Sequence, residues 1–212
     1  MKTFIFSAML AFTSLFFTGC SAQAGEMTNE DQMLAATQSM TRIAAADVTL
    51  NESESAGVLL MREEEKMAHD VYVYFASKYN VPIFKNISSS EARHQEAMGW
   101  LITTYGLKAP TIPQAGKFAN AQLQKYYDKF ISQGATLVEA LKVGAFIEEY
   151  DIADLKKLIN ETKNPDIIRV YTNLLRGSEN HLKAFVGNLS FRGVKYEPQI
   201  ITKAELDSIL KK

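Results

Sequence analysis

Glu91-Ala92-Arg93-His94 sets a carboxylate three residues before an imidazole, a spacing that puts both on one face of a helix. Alone this signal is weak, since acidic residues are common enough that many histidines have one three positions upstream. Its weight comes from companions. Glu65, the pair Glu148 and Asp151, and His181 lie in three other segments, each interrupting an apolar 3-4 pattern. Carboxylates in an apolar seam are costly unless paired, protonated or metal-bound. One intrusion could be a surface slip, but four in four segments need a shared cause. The chemistry that wants this set is a di-metal carboxylate site. Its template takes one Glu from each of two helices and Glu-x-x-His from each of the other two. Carboxylates bridge two hard ions, and an imidazole caps each of them.

The elements that must position these groups are helical. The periodicity predicts helices over about 53–79, 82–105 and 165–189. A third in chain order covers about 136–150, either ending there or bending at Asp151 and continuing to about 162. The seams read Met61, Glu65, Ala68, Tyr72; then Ile87, Glu91, His94, Met98; then Leu141, Gly144, Glu148, Asp151; then Leu174, Ser178, His181, Phe185. Asn80-Val81-Pro82 and Asn164-Pro165 mark short turns, with proline suited to a first helical turn. Each candidate ligand lies roughly 11–17 residues from its turn, so at about 1.5 Å per residue all share one layer near 20 Å. Gly106 through Gly134 is a long connection with a short amphipathic piece near Ala121–Phe130, whose aromatics are expected to cover the helices. The expected fold is therefore all-α: an antiparallel four-helix bundle over residues 52–190 with one long crossover connection. Residues 191–212 form a C-terminal tail with a small amphipathic end, packing back on the domain or contacting a partner.

Glu65-Lys66-Met67-Ala68-His69-Asp70-Val71-Tyr72 resembles the first helix of rubrerythrins and related ferritin-like proteins. The runs Arg62–Lys66, Pro82–Ile87 with Ser90-Glu91 and His94, and Ser178–Leu182 resemble more closely an uncharacterised bacterial ferritin-like group, domain-of-unknown-function family 2202. The resemblance spans roughly residues 52–190 and implies a ferritin-like fold with a di-metal site, without an established reaction. The expected ligands are Glu65, Glu91, His94, Glu148, Asp151 and His181, with Tyr72 and Ser178 as hydrogen-bonding neighbours. Iron is the expected metal, as one or two ions, with manganese and zinc as alternatives. One position departs from the template: Ser178 stands where a carboxylate belongs, and Glu179 lies about 160° around the helix from His181. Asp151 is expected to compensate. Glu64, on a neighbouring stripe, is the reserve ligand, and His69 falls on the surface.

Bland alternatives stand beside each assignment. Glu63–Glu65 could be a solvated helix end, Glu148-Glu149 an acidic helix end, Asp151 a helix cap, His181 a bonded core histidine and Tyr72 ordinary core. Whether the site turns anything over stays open between oxidase, ferroxidase or peroxide-reducing chemistry and a non-catalytic interaction or metal-sequestering bundle. A purely structural bundle is the third reading.

The rest of the chain sets the context. A formal net charge of −1 over 212 residues offers no field for nucleic acid, and a mean hydropathy of −0.11 excludes a multispanning membrane protein. No phosphate loop or nucleophile motif occurs. A homo-oligomer remains open. Lys2 followed by the apolar run Phe4–Phe17 reads as a signal peptide over residues 1–19. Phe17-Thr18-Gly19-Cys20 resembles a bacterial lipobox, although Phe17 stands where Leu is usual, and a plain secretory signal is the alternative. Residues 20–51 are then a lipidated cysteine and tether, with a short helix allowed near Met33–Ala46, and the protein an exported, membrane-anchored lipoprotein of the cell envelope. Cys20 is the single cysteine, which excludes an intrachain disulfide. Cys20→Ser is expected to move the protein from the membrane fraction to the soluble one, because multiple acyl chains anchor stably where none or one does not. A wild-type chain that is already soluble, or whose mass carries no acyl groups, overturns the anchor.

Overall fold

Capping chemistry sets where each helix starts. The computed structural model describes residues 49–211, so the expected signal run, Cys20, most of the tether and the short helix near Met33–Ala46 lie outside it. Six helices occur among the described residues: α1 Glu52–Tyr79, α2 Pro82–Thr104, α3 Ala121–Gln133, α4 Leu137–Glu161, α5 Pro165–Phe191 and α6 Lys203–Lys211. No strand occurs among them, so this part of the chain is all-α as expected. Asn51 opens α1 with a capping box: its side chain accepts the Glu54 N–H at 2.9 Å while the Glu54 carboxylate accepts the Asn51 N–H at 3.0 Å. Thr136 caps α4, and Asn120 and Asn164 cap α3 and α5. Asn80, left-handed at φ 49°, ends α1, and Pro82 starts α2.

Helix α4 settles one alternative. It runs unbroken through Asp151 to Glu161, so Asp151 is a buried mid-helix residue rather than a cap or the site of a break. The α1–α2 and α4–α5 hairpins pack on each other, α1 against α4 and α2 against α5. The α1–α4 pair is antiparallel. A Cβ on Gly57 would meet the Leu158 side chain at 2.9 Å, and the Tyr72 hydroxyl lies 3.4 Å from the Gly144 carbonyl.

The apolar core falls into two clusters. One holds Val58 and Met61 of α1, Met98 and Leu101 of α2, Leu155 of α4 and Leu174 of α5. The other holds Ala68 and Tyr72, Phe84 and Ile87, Leu141 and Ile147, Leu182 and Phe185 from the same four helices. On α1, α2 and α5 the switch between clusters falls at the polar residues, near 64–65, 91–94 and 178–181, and on α4 it falls just beyond 148–151, between Ile152 and Leu155. A buried polar layer thus cuts the core in two.

The connections are tied to this frame by carboxylates. Glu63 accepts the Ala119 and Asn120 N–H groups at 2.7 and 2.9 Å, so it is not merely a solvated charge. Asp70 accepts the Gly116 N–H at 2.9 Å, while Lys66 bridges Asp70 to the Gln114 and Lys117 carbonyls. Burial alone would raise the Asp70 pKa; the bonds from His69, Lys66 and Gly116 outweigh it and hold the group below its usual value. Gly116 has φ +70°, and a Cβ there would lie 2.7 Å from the Tyr127 ring. Phe118, Leu123 and Phe130 of this region are buried, so it covers the helices as expected.

Glu149 fixes the tail. Its carboxylate accepts the Tyr196 hydroxyl at 2.5 Å and the N–H groups of Gln199, Ile200 and Ile201 at 2.9, 2.7 and 3.1 Å. Leu206 and Ile209 of α6 are buried. The tail therefore packs back on the domain, and Glu149 is its anchor rather than part of a helix-end acidic pair. Glu149→Ala is expected to cost about 1.5–3 kcal/mol, the range for charge-assisted bonds and buried donors left unmet. Denaturant unfolding measures it, and amide exchange at 199–201 should quicken. The exposed Glu139→Ala, within about 0.5 kcal/mol, serves as control. Equal unfolding midpoints for the two variants would show that the clamp contributes nothing.

Candidate metal centre

Four helices deliver polar groups into the layer between the two apolar clusters. Glu65 comes from α1, Glu91 and His94 from successive turns of α2, Glu148 from α4 and His181 from α5. They form two buried triads, Glu65–Glu91–His94 and Glu91–Glu148–His181, and within each the candidate ligand atoms lie within 4.8 Å of one another. Glu91 belongs to both. Its Oε2 is 2.8 Å from His94 Nδ1 and its Oε1 is 2.8 Å from His181 Nδ1. His94 Nδ1 is also 3.1 Å from Glu65 Oε2, and His181 Nδ1 is 3.4 Å from Glu148 Oε2. The imidazoles stack at 5.5 Å with 27° between their planes.

The angles matter as much as the distances. Glu91 Oε1, Glu148 Oε2 and His181 Nδ1 are buried and none has a partner aligned as a hydrogen bond, close as they are. Buried polar atoms are rarely left so. Three such atoms in one triad make a donor set that could hold an ion. The donor set of carboxylate oxygen and imidazole nitrogen suits iron, manganese or zinc.

The electrostatics follow from crowding acids in an apolar layer. Burial pushes Glu65 up to about 8, and Glu148 is raised, also chiefly by burial. For Glu91 burial acts the same way, but His181 and His94 outweigh it and hold the group well below the usual carboxylate value. Burial would lower both histidines; facing carboxylates reverse this, raising His94 well above its usual value and His181 to about 10. Glu91 is the carboxylate that the two imidazoles keep charged.

The surrounding residues hold this arrangement in place. The Tyr72 hydroxyl donates to Glu148 Oε1 at 2.6 Å, the neighbour role expected for it, and its ring packs 5.3 Å from Phe185. Ser178 does otherwise. Its hydroxyl donates to the Leu174 carbonyl of its own helix at 3.2 Å, because a short side chain in a helix readily reaches back one turn. That corrects the expectation of a bond to a ligand. Asp151 is buried one turn from Glu148 and outside both triads, with Oδ1 unpartnered. Glu64, placed on a neighbouring stripe, is fully buried and both of its oxygens lack partners. Glu179 is buried outside both triads. His69 is half-buried and faces Asp70 at 3.0 Å, away from the layer. Gly177 was not anticipated. A Cβ there would lie 2.6 Å from His94 Cε1 and Nε2, so the imidazole rests directly on the α5 backbone. A glycine in mid-helix was the available signal.

The chain is similar to proteins whose descriptions name no activity. The family described as Uncharacterized protein domain (DUF2202) matches residues 54–212, a stretch that includes the tail. The chain is 45% identical over 163 residues to Uncharacterized protein MJ0754 of Methanocaldococcus jannaschii, covering 76% of this chain and 88% of that protein. It is also similar to the crystal structure of hypothetical protein MJ0754 from Methanococcus jannaschii, at a TM-score of 0.77 and 43% identity. That match covers 80% of this chain and 98% of the other. A match of this length, joined to a relative of this identity, means that the chain belongs to the DUF2202 family.

Proposed function

We propose that this chain is a metal-binding protein whose four long helices form a ferritin-like four-helix bundle around a carboxylate–histidine centre. The centre takes two ions, iron first, with manganese and zinc as alternatives. The observation that carries this reading is Glu91, one carboxylate with an oxygen on each of two buried, histidine-bearing triads. A bridging carboxylate between two capped positions is the core of the di-metal template.

Once bound, the ions would supply Lewis acidity and, for iron or manganese, one-electron redox capacity toward oxygen or peroxide. The chain's own residues do the rest. Tyr72 holds its proton at Glu148 Oε1, which fixes that carboxylate and leaves Oε2 turned toward His181. Gly177 lets His94 sit close enough to share Glu91 with His181. The apolar clusters above and below keep water from the layer. His94 and His181, 8% and 7% exposed, leave the α2–α5 side as the nearest approach for a small molecule.

One observation favours a non-catalytic sequestering or interaction bundle as the second reading: α5 contributes a histidine to the triads but no carboxylate, since Ser178 bonds to its own helix. Either reading carries the export assignment of residues 1–20 with it, which puts the domain on a lipid anchor in the cell envelope.

Elemental analysis of stripped and reloaded protein is expected to find at least two ions per chain. Metal at about 100 times Kd adds about 2.7 kcal/mol. For a domain of this size that raises Tm by about 5–10 °C. Glu91→Ala should lose both triad-bound ions, and His181→Ala mainly one. A thoroughly chelated protein whose melting is unmoved by Fe(II), Mn(II) and Zn(II) overturns the reading in favour of a structural bundle.

A further inference from the structure

Gly177 matters for the side chain it lacks. It lies buried in the middle of α5, with helical backbone that any residue adopts. Glycine is the poorest helix former after proline, so its place here needs another reason. A Cβ at 177 would lie 2.6 Å from both Cε1 and Nε2 of His94. The other sides of that imidazole are also taken. Its Nδ1 faces Glu91 Oε2 at 2.8 Å and Glu65 Oε2 at 3.1 Å, and its ring stacks on His181 at 5.5 Å. A ring pushed off α5 cannot retreat toward the carboxylates, which are already at contact. It has to turn, and turning takes Nδ1 away from them. Gly144 is the contrasting case. A Cβ there would meet the Phe185 ring at 2.4 Å, and that ring packs against Tyr72 and Phe84 at 5.3 and 5.9 Å. Phe185 is fully buried in the apolar cluster and has no room to yield, whereas His94 meets Gly177 with the far end of its side chain.

We propose that Gly177 is the positioning residue of the first triad, Glu65–Glu91–His94: the space above its backbone is the seat of His94, and that seat decides whether the triad holds an ion. The proposal rests on the reading of the triads as metal sites and assigns control of one ion to a residue that offers no ligand atom. The effect is confined to the first triad, because Glu91, Glu148 and His181 make up the second without His94.

Zinc titration of the full chain against a chromophoric chelator, with melting of the metal-free protein alongside, tests this. Gly177→Ala is expected to weaken one of the two positions by about 10–100-fold, the usual effect of losing a group that orients a ligand, and to leave the other unchanged. Its metal-free form should melt no lower than wild type, since alanine favours the helix and the imidazole gives way. Metal-free Gly144→Ala should melt lower, through overpacking. In a His94→Ala background, Gly177→Ala should change zinc binding by no more than about twofold, because it acts through His94 alone. Two zinc positions of wild-type affinity in Gly177→Ala overturn the proposal. So does a metal-free Gly177→Ala that melts well below wild type, since Gly177 would then serve packing as Gly144 does. A further loss of zinc in the double variant overturns it as well. A wild type that binds no zinc, iron or manganese sinks the triad reading and the control of an ion with it, but the seat is read without metal. The nuclear Overhauser contact between Gly177 Hα and His94 Hε1 is expected in the chelated protein, and its absence overturns the seat itself.

Discussion

The charge of Glu91 is what the rest of this structure is arranged around. An ion withdrawn into a protein core costs several kcal/mol even after relaxation. A domain has only about 5–15 kcal/mol of net stability in total. The layer holds Glu64, Glu65, Glu91, Glu148 and Asp151 with only two imidazoles among them. Both imidazoles face Glu91, and Glu91 is the member of the set held well below the usual carboxylate value. The other four are pushed upward, first by burial and then by neighbouring carboxylates. Positive charge is the scarce quantity in the layer. Its distribution decides which carboxylates ionise and where a cation gains most.

The fold serves that constraint by keeping the layer level and rigid. Short turns at Asn80 and Asn164 make each hairpin antiparallel, so groups at similar distance from the turn meet. Two apolar clusters close on the layer from either side, which keeps its dielectric low and its side chains fixed. The outer shell repeats the pattern in a milder form. Glu63, Asp70 and Glu149 are also acids, yet each faces backbone N–H groups and ties down a connection or the tail. Acids with such donors act as clamps. Acids without them, facing one another inside, are pushed toward the neutral form.

Much of this was legible in the sequence, for a reason that also explains what was not. Seam position and depth follow from the 3.6-residue period, and they mark Glu65, Glu91, His94, Glu148 and His181 as one layer, which is the set that the structure brings together. Tyr72 lies on the same seam and bonds to Glu148. Periodicity cannot say how wide the buried stripe is. Glu64 and Glu149 each sit one residue beside a seam position, and both are fully buried because α1 and α4 are covered on more than one face, by α3 and by the tail. Gly177 was missed because its role is a distance, the space an imidazole from another helix needs above the α5 backbone. Ser178 was located correctly but its bond was not, since a hydroxyl in a helix has a ready partner in the carbonyl one turn back.

The position of Ser178 then explains the asymmetry of the centre. A template with a Glu on α5 would spread negative charge evenly around the bundle. Here α5 contributes only an imidazole to the layer's triads, while α1 brings Glu64 beside Glu65 and α4 brings Asp151 one turn from Glu148. Four of the layer's five carboxyl groups thus lie on α1 and α4, and both imidazoles lie on α2 and α5. An ion entering this layer meets oxygen alone on one side and nitrogen with oxygen on the other. On the proposed metal-binding reading, ions of different hardness would meet different donor sets across the layer.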